Sequence, residues 1–227
     1  MNIPYCNRPQ GRPPIARERT GFRRWLAAPA LALVALISPA AAAPPTVLIL
    51  GDSLSAGYGL GTGQGWVDLL QRKLAAQGFA HQVVNASISG DTTAGGRSRI
   101  GAALQNHKPQ IVIIELGGND GLRGSALAPV KANLDYMVEA AQKAGAKVLL
   151  LGMQLPPNYG ARYVADFAAL FSDVARSRKA ALVPFLLRGF GDNPELFQAD
   201  RIHPTAQAQP LMLDTLWPEL RKLLPNH

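Results

Sequence analysis

Ser53 stands in the run Gly51-Asp52-Ser53-Leu54-Ser55, where the apolar residues 47–50 enter a Gly-Asp-Ser turn. A serine hydroxyl at the carboxyl end of a buried strand, beside backbone N–H groups that can bind an anion, suits nucleophilic chemistry if a base reaches it. The chain offers four histidines. His227 is the last residue and is expected to fray. His81 and His107 each stand just ahead of an apolar run, which puts them at the opposite, amino edge of a sheet. His203 remains, in Asp200-Arg201-Ile202-His203-Pro204. An aspartate three residues before a histidine on a turn can accept the Nδ1 proton, leaving Nε2 to accept from the serine hydroxyl. Pro204 disfavours helical geometry at His203 and helps keep it on a loop. Alone, an Asp-x-x-His reads equally well as the first turn of a helix with an incidental acid and histidine.

An oxyanion formed at such a serine needs hydrogen-bond donors. Two candidates follow other apolar runs: Gly90, in Asn85-Ala86-Ser87-Ile88-Ser89-Gly90-Asp91-Thr92-Thr93, and Asn119, in Leu116-Gly117-Gly118-Asn119-Asp120. A glycine lets the backbone approach a ligand closely and present its N–H, and an asparagine amide can donate from its side chain. Taken singly, each is also an ordinary turn rich in Gly, Asn and Asp. Together the four signals fall in order, each at a strand end or just past the last strand.

The elements that must hold them alternate regularly after Pro44-Pro45. Apolar runs of strand length occupy 46–50, 82–85, 111–116, 148–152 and 181–185, mostly continuous, as for strands covered on both faces. Between them lie helical stripes. One places Leu127, Val130, Leu134, Met137 or Val138, and Ala141 on one face, stopped by Gly145; another has Trp66, Leu69, Leu70 and Leu74, stopped by Gly78. Strand-helix alternation on this scale predicts an α/β fold, a five-stranded parallel sheet with helices on both sides, whose ligands bind at the carboxyl edge.

Residues 1–43 are expected to be a secretory signal: an arginine-rich stretch, an apolar stretch densest over 26–37, then small residues, with cleavage after Ala42 or nearby. That segment holds six of the 23 basic residues and one of the 15 acids, which leaves 17 against 14, a net +3, on residues 44–227 of a chain carrying +8. The basic excess therefore belongs to export, and no basic stripe with interleaved aromatics points to nucleic acid. The single cysteine, Cys6, lies in the same segment, so residues 44–227 form no disulfide and carry no thiolate site. The expected product is one exported domain, periplasmic or secreted, without stable membrane insertion and monomeric by default.

The chain resembles the SGNH (GDSL) hydrolases across residues 44–227, through Gly-Asp-Ser-Leu-Ser at 51–55, Ser-Gly-Asp-Thr at 89–92, Gly-Gly-Asn-Asp at 117–120 and Asp-x-x-His-Pro at 200–204. It is most similar to the periplasmic thioesterase, lysophospholipase and arylesterase branch. One departure is Gln154, where a member of that branch carries arginine; it bears on acyl-chain preference. The resemblance implies a flavodoxin-like three-layer α/β/α sandwich and a serine hydrolase acting on esters or thioesters through an acyl-enzyme. Ser53 would be the nucleophile, His203 the general base and then acid, and Asp200 the orienting carboxylate. The Ser53 and Gly90 N–H groups and the Asn119 amide would form the oxyanion hole. No cofactor or metal is implied. Leu155, Pro156 and Tyr159 are candidates for apolar substrate lining, and loop packing explains them equally well.

Other readings fit less well. Glycines at 57, 59, 61, 63 and 65 never supply the i, i+2, i+5 spacing of a dinucleotide fingerprint, and no Gly-x-Ser-x-Gly elbow surrounds any serine. A metal hydrolase needs more than the one histidine expected at the carboxyl edge. A carbohydrate O-acetylesterase could use the same residues, and a non-catalytic binding module would keep only the fold.

Overall fold

The computed structural model describes residues 43–226; the expected signal segment lies outside the described residues, apart from Ala43. Five parallel strands form one sheet in the order β2-β1-β3-β4-β5. They are β1 Thr46–Gly51, β2 Gln82–Asn85, β3 Ile111–Glu115, β4 Lys147–Leu151 and β5 Ala181–Val183. In chain order the α-helices are α1 Ser53–Ala56, α2 Trp66–Ala76, α3 Thr93–His107, α4 Gly118–Leu122, α5 Leu127–Lys143, α6 Ala161–Arg178 and α7 Gln209–Leu223. α2 packs with α7, and α5 packs between α3 and α6, giving one helical layer on each side of the sheet. This is the three-layer α/β/α sandwich expected from the alternation of strand and helix.

The apolar runs become strands because both faces are covered. Every side chain from Val47 to Leu50 and from Ile111 to Ile114 is fully buried. The helical stripes dock as their spacing demands: Val130, Leu134, Met137, Val138 and Ala141 on α5, and Trp66, Val67, Leu70 and Leu74 on α2, are all buried. β5 is shorter than the run expected at 181–185: it stops at Val183 because Pro184 has no N–H to continue a ladder. The chain then turns over Gly152, whose N–H donates to the Val183 carbonyl at 2.7 Å.

From β1 the chain goes to β2 on one side and returns through β3 on the other, so the strand order reverses between β1 and β3. Helices diverge from the sheet at such a switch point and leave a crevice at the carboxyl edge. Gly51–Ser53 and Glu115–Asn119 meet there. β1 and β3 are in register with Gly51 opposite Glu115, and a side chain at 51 would collide with Ser55 Oγ at 2.7 Å and Glu115 Oε2 at 2.9 Å, so this close approach requires glycine.

Candidate active site

Ser53 opens α1, a single helical turn. Asp52 caps it, accepting from the Leu54 N–H at 3.0 Å, and Gly57 ends it in the left-handed conformation. The turn leaves Ser53 half-buried at the sheet edge. Its Oγ lies 2.9 Å from His203 Nε2, and His203 Nδ1 lies 2.6 Å from Asp200 Oδ2. These partners set the ring tautomer: Nδ1 donates to the carboxylate and Nε2 accepts from the hydroxyl.

The Asp-x-x-His spacing has a local cause. Asp200 Oδ1 accepts from the backbone N–H groups of Ile202 and His203, which folds the carboxylate back over its own turn and turns Oδ2 toward the ring. The bond from the His203 ring, then the N–H groups of His203 and Ile202, hold the Asp200 carboxyl down to about 2. It is therefore ionised throughout the neutral range. The loop is pinned at both ends: Gln198 N–H donates to the His203 carbonyl and Thr205 N–H to that of Leu196, both at 2.8 Å.

Asn119 sits in α4, entered through Gly117, whose φ of +117° favours glycine. Its Nδ2 donates to the Asp91 carbonyl at 2.8 Å and to Asp52 Oδ2 at 3.1 Å. One amide thus bridges the residue after Gly90 and the residue before Ser53, gathering the three expected oxyanion donors around one place. Gly90 has φ +80°. Among the described residues neither its N–H nor that of Ser53 donates to another group, so both are open to a ligand.

A cleft of about 750 Å³ abuts this arrangement through Gly118 and Ile202, the neighbours of Asn119 and His203. Met153, Leu155, Phe185, Leu187 and Phe197 give it apolar walls, Gln154 and Pro156 also line it, and Arg188, Arg201 and Asp192 bring charge to it. Tyr159 does not line it. That residue lies in a second recess with Arg162 and Asp166, and its hydroxyl donates to the Leu122 carbonyl at 2.9 Å, so its contact ties the segment after β4 to the end of α4.

His81 and His107 stand at the amino edge, at the start of β2 and the end of α3, away from Ser53. Among the described residues no group of three or more His, Cys, Asp or Glu could hold a metal ion, and no helix is long and apolar enough to cross a membrane.

Two features were not read from the sequence. The Tyr58 ring lies over the His203 ring with centroids 4.4 Å apart, a contact made between loops 145 positions apart in the chain. Glu115 is fully buried beneath Ser53's turn. Its signal was a lone acid closing an otherwise unbroken apolar strand.

The profile of the GDSL-like Lipase/Acylhydrolase family matches residues 49–210. The chain is 54% identical to Esterase TesA of Pseudomonas aeruginosa over 203 residues, covering 89% of this chain and 100% of that protein. It is 42% identical to thioesterase 1/protease 1/lysophospholipase L1 of Escherichia coli over 199 residues, 88% of this chain and 93% of that one. Among solved structures, the crystal structure of TesA superposes with a TM-score of 0.78 at 56% identity, covering 79% of this chain and 99% of that chain. The psychrotrophic esterase EstA from Pseudoalteromonas sp., inhibited by monoethylphosphonate, superposes at 0.76 with 41% identity, covering 80% and 99%. Joined to the serine, glycine, asparagine and histidine blocks at one sheet edge, these likenesses identify the chain as a member of the GDSL-like lipase/acylhydrolase family, the SGNH hydrolases.

Proposed function

We propose that this protein hydrolyses carboxylic esters and thioesters through an acyl-enzyme on Ser53. The observation that carries this reading is the relay of 2.9 Å from Ser53 Oγ to His203 Nε2 and 2.6 Å from His203 Nδ1 to Asp200. His203 takes the hydroxyl proton as Ser53 attacks the acyl carbon, and Asp200 stabilises the imidazolium so formed. The carbonyl oxygen, now an oxyanion, is received by the Ser53 and Gly90 N–H groups and the Asn119 amide. His203 returns the proton to the departing alkoxide or thiolate. A water then repeats the sequence and releases the acid.

Apolar walls suit acyl chains, and the two arginines at the cleft suit a leaving group that carries phosphate, as in acyl-CoA or a lysophospholipid. Relatives named thioesterase, lysophospholipase and arylesterase support the same substrate range. The N-terminal pattern supports export, with cleavage after Ala42 or nearby, which sequencing of the exported product checks.

A fluorophosphonate probe is expected to label Ser53 in the folded protein, and Ser53→Ala to abolish both labelling and turnover. An unlabelled wild-type protein that still hydrolyses esters rejects serine chemistry. A series of p-nitrophenyl esters tests the substrate: a flat or rising profile from acetyl to octanoyl fits the cleft, and a steep fall favours a carbohydrate O-acetylesterase.

A further inference from the structure

Behind Ser53 lies a pair of carboxyl groups that the relay does not use. Glu115, the last residue of β3, is 0% exposed and Asp52 is 3% exposed. Glu115 Oε2 accepts from Ser55 Oγ at 2.7 Å and from the Asp52 N–H at 3.3 Å. Glu115 Oε1 is buried and meets no donor.

Among the described residues no lysine or arginine pairs with either acid. Arg99 on α3 approaches from the β2 side, but it pairs with Asp91 and donates to the carbonyls of Ala86 and Gly51. His203 faces Ser53 and Asp200, and Asp120 on α4 is engaged by Thr93. Two adjacent buried carboxylates without a cation are not sustainable, so one holds a proton.

The hydrogen bonds decide which. Asp52 accepts two N–H bonds, from Leu54 at Oδ1 and from Asn119 at Oδ2, and both stabilise its anion. Glu115 also accepts two bonds, but both fall on Oε2 and its Oε1 has none, so its anion is the less well solvated of the two. A proton on Glu115 removes the charge from that bare carboxylate and leaves the Asn119 contact to Asp52 undisturbed. Burial pushes both groups up, Glu115 well above its ordinary value and Asp52 to about 6.

We propose that Glu115 is a positioning residue, protonated in the resting protein, that holds Asp52 and Ser55 and through them sets the Ser53 turn and the Asn119 amide. In its catalytic consequence this rests on the acyl-enzyme reading above; in its protonation state it does not.

The test compares Glu115→Ala and Glu115→Gln with wild type in steady-state hydrolysis of a p-nitrophenyl ester and in thermal unfolding from pH 5 to 9. Glu115→Ala is expected to lower kcat about tenfold or more with KM within about twofold, because the change disturbs transition-state contacts rather than the cleft. Glutamine is neutral, like the protonated acid, and keeps a carbonyl oxygen to accept from the Ser55 hydroxyl and the Asp52 N–H, so Glu115→Gln is expected to recover kcat to within about threefold of wild type.

Stability carries a signature that packing alone would not. A carboxyl whose folded-state pKa is raised favours folding below its unfolded value, and that contribution is lost as pH rises through the folded pKa. Wild-type Tm is therefore expected to fall relative to Glu115→Gln as pH rises across the range from 5 to 9, by roughly 3–5 °C for each tenfold in folding equilibrium lost. Parallel Tm profiles would overturn the protonated state, and a glutamine variant as impaired as alanine would overturn the positioning role. If Glu115→Ala does not fold, the glutamine comparison still decides. If Ser53 of wild type is not labelled by a fluorophosphonate, the hydrolase reading fails while the Tm comparison still reports on Glu115.

Discussion

Asn119 commits both amide hydrogens in the resting protein, one to the Asp91 carbonyl and one to Asp52. On the proposed mechanism an oxyanion takes a share of one of them, so the amide would contribute most when negative charge develops at the substrate oxygen, which favours the transition state over the bound ester. Asn119→Ala is accordingly expected to lower kcat by about 10²–10³-fold with KM nearly unchanged, the loss typical of one oxyanion donor. A wild-type kcat in that variant removes Asn119 from the hole. Asp200 supplies a second measurement at this scale, in stability. Its carboxyl is held down to about 2 by the His203 ring and two backbone N–H groups, so the native state gains from its ionised form above the ordinary carboxylate range and loses that gain as pH falls toward 2. Wild type is expected to unfold at a higher temperature than Asp200→Asn at pH 5, with the gap closing as pH drops to about 2. A gap independent of pH would mean that the carboxylate bonds do not stabilise the fold. Asp52 shifts in the opposite direction, because burial rather than donors dominates its surroundings.

The elements explain why Ser53 sits where it does. Gly51 allows β1 to turn into α1 with Ser55 and Glu115 almost touching its backbone, and the crowding atoms belong to buried side chains that cannot swing away. Gly51→Ala is expected to cost about 1–3 kcal/mol of stability, as overpacking does; chemical denaturation measures it, and an unchanged midpoint would show that α1 can shift freely. Gln198 couples two further loops, donating from Nε2 to the carbonyls of Tyr58 and Pro204, and so holds the Tyr58 ring over His203. The five strands and the long helices α2 and α5 were legible in the chain because burial writes a period into the sequence and both faces of the sheet are covered. The one-turn helices α1 and α4 were not, since four or five residues are too few to show a period. The serine, histidine and asparagine could be located because each ends a strand or follows the last one. Tyr58 could not, because its partner is fixed by loop geometry. For Tyr159 the sequence leaves apolar lining and packing equally open, and in the structure its hydroxyl ties to the Leu122 carbonyl.

At the scale of the whole molecule, the strand reversal between β1 and β3 opens the crevice, and the loops after β3, β4 and β5 build the cleft beside it. Leu122 ends α4 at the cleft wall, half-exposed, facing a chamber whose other walls include Met153, Leu155 and Phe185. Each methylene that such walls remove from water is worth about 0.8 kcal/mol at most, so six extra carbons, from acetyl to octanoyl, give ample room for discrimination. Arg188 and Arg201 are exposed on the same cleft, and Arg201 holds a left-handed φ of +58°. On the function proposed above, the acyl chain and a phosphate-bearing leaving group meet separate residues, and two variants separate them. Leu122→Trp fills part of the apolar wall from a half-exposed position; it is expected to reduce kcat/KM for p-nitrophenyl octanoate by about tenfold or more while sparing the acetate. Arg188→Ala with Arg201→Ala is expected to raise KM for acyl-CoA by about tenfold at low salt while leaving p-nitrophenyl esters of the same chain length unaffected, because the lost contacts are charge-assisted bonds to the leaving group alone. The effect on acyl-CoA shrinks as ionic strength rises and screens exposed charge. If both variants lower every substrate alike, the cleft is a structural recess and the acyl chain lies elsewhere along the sheet edge.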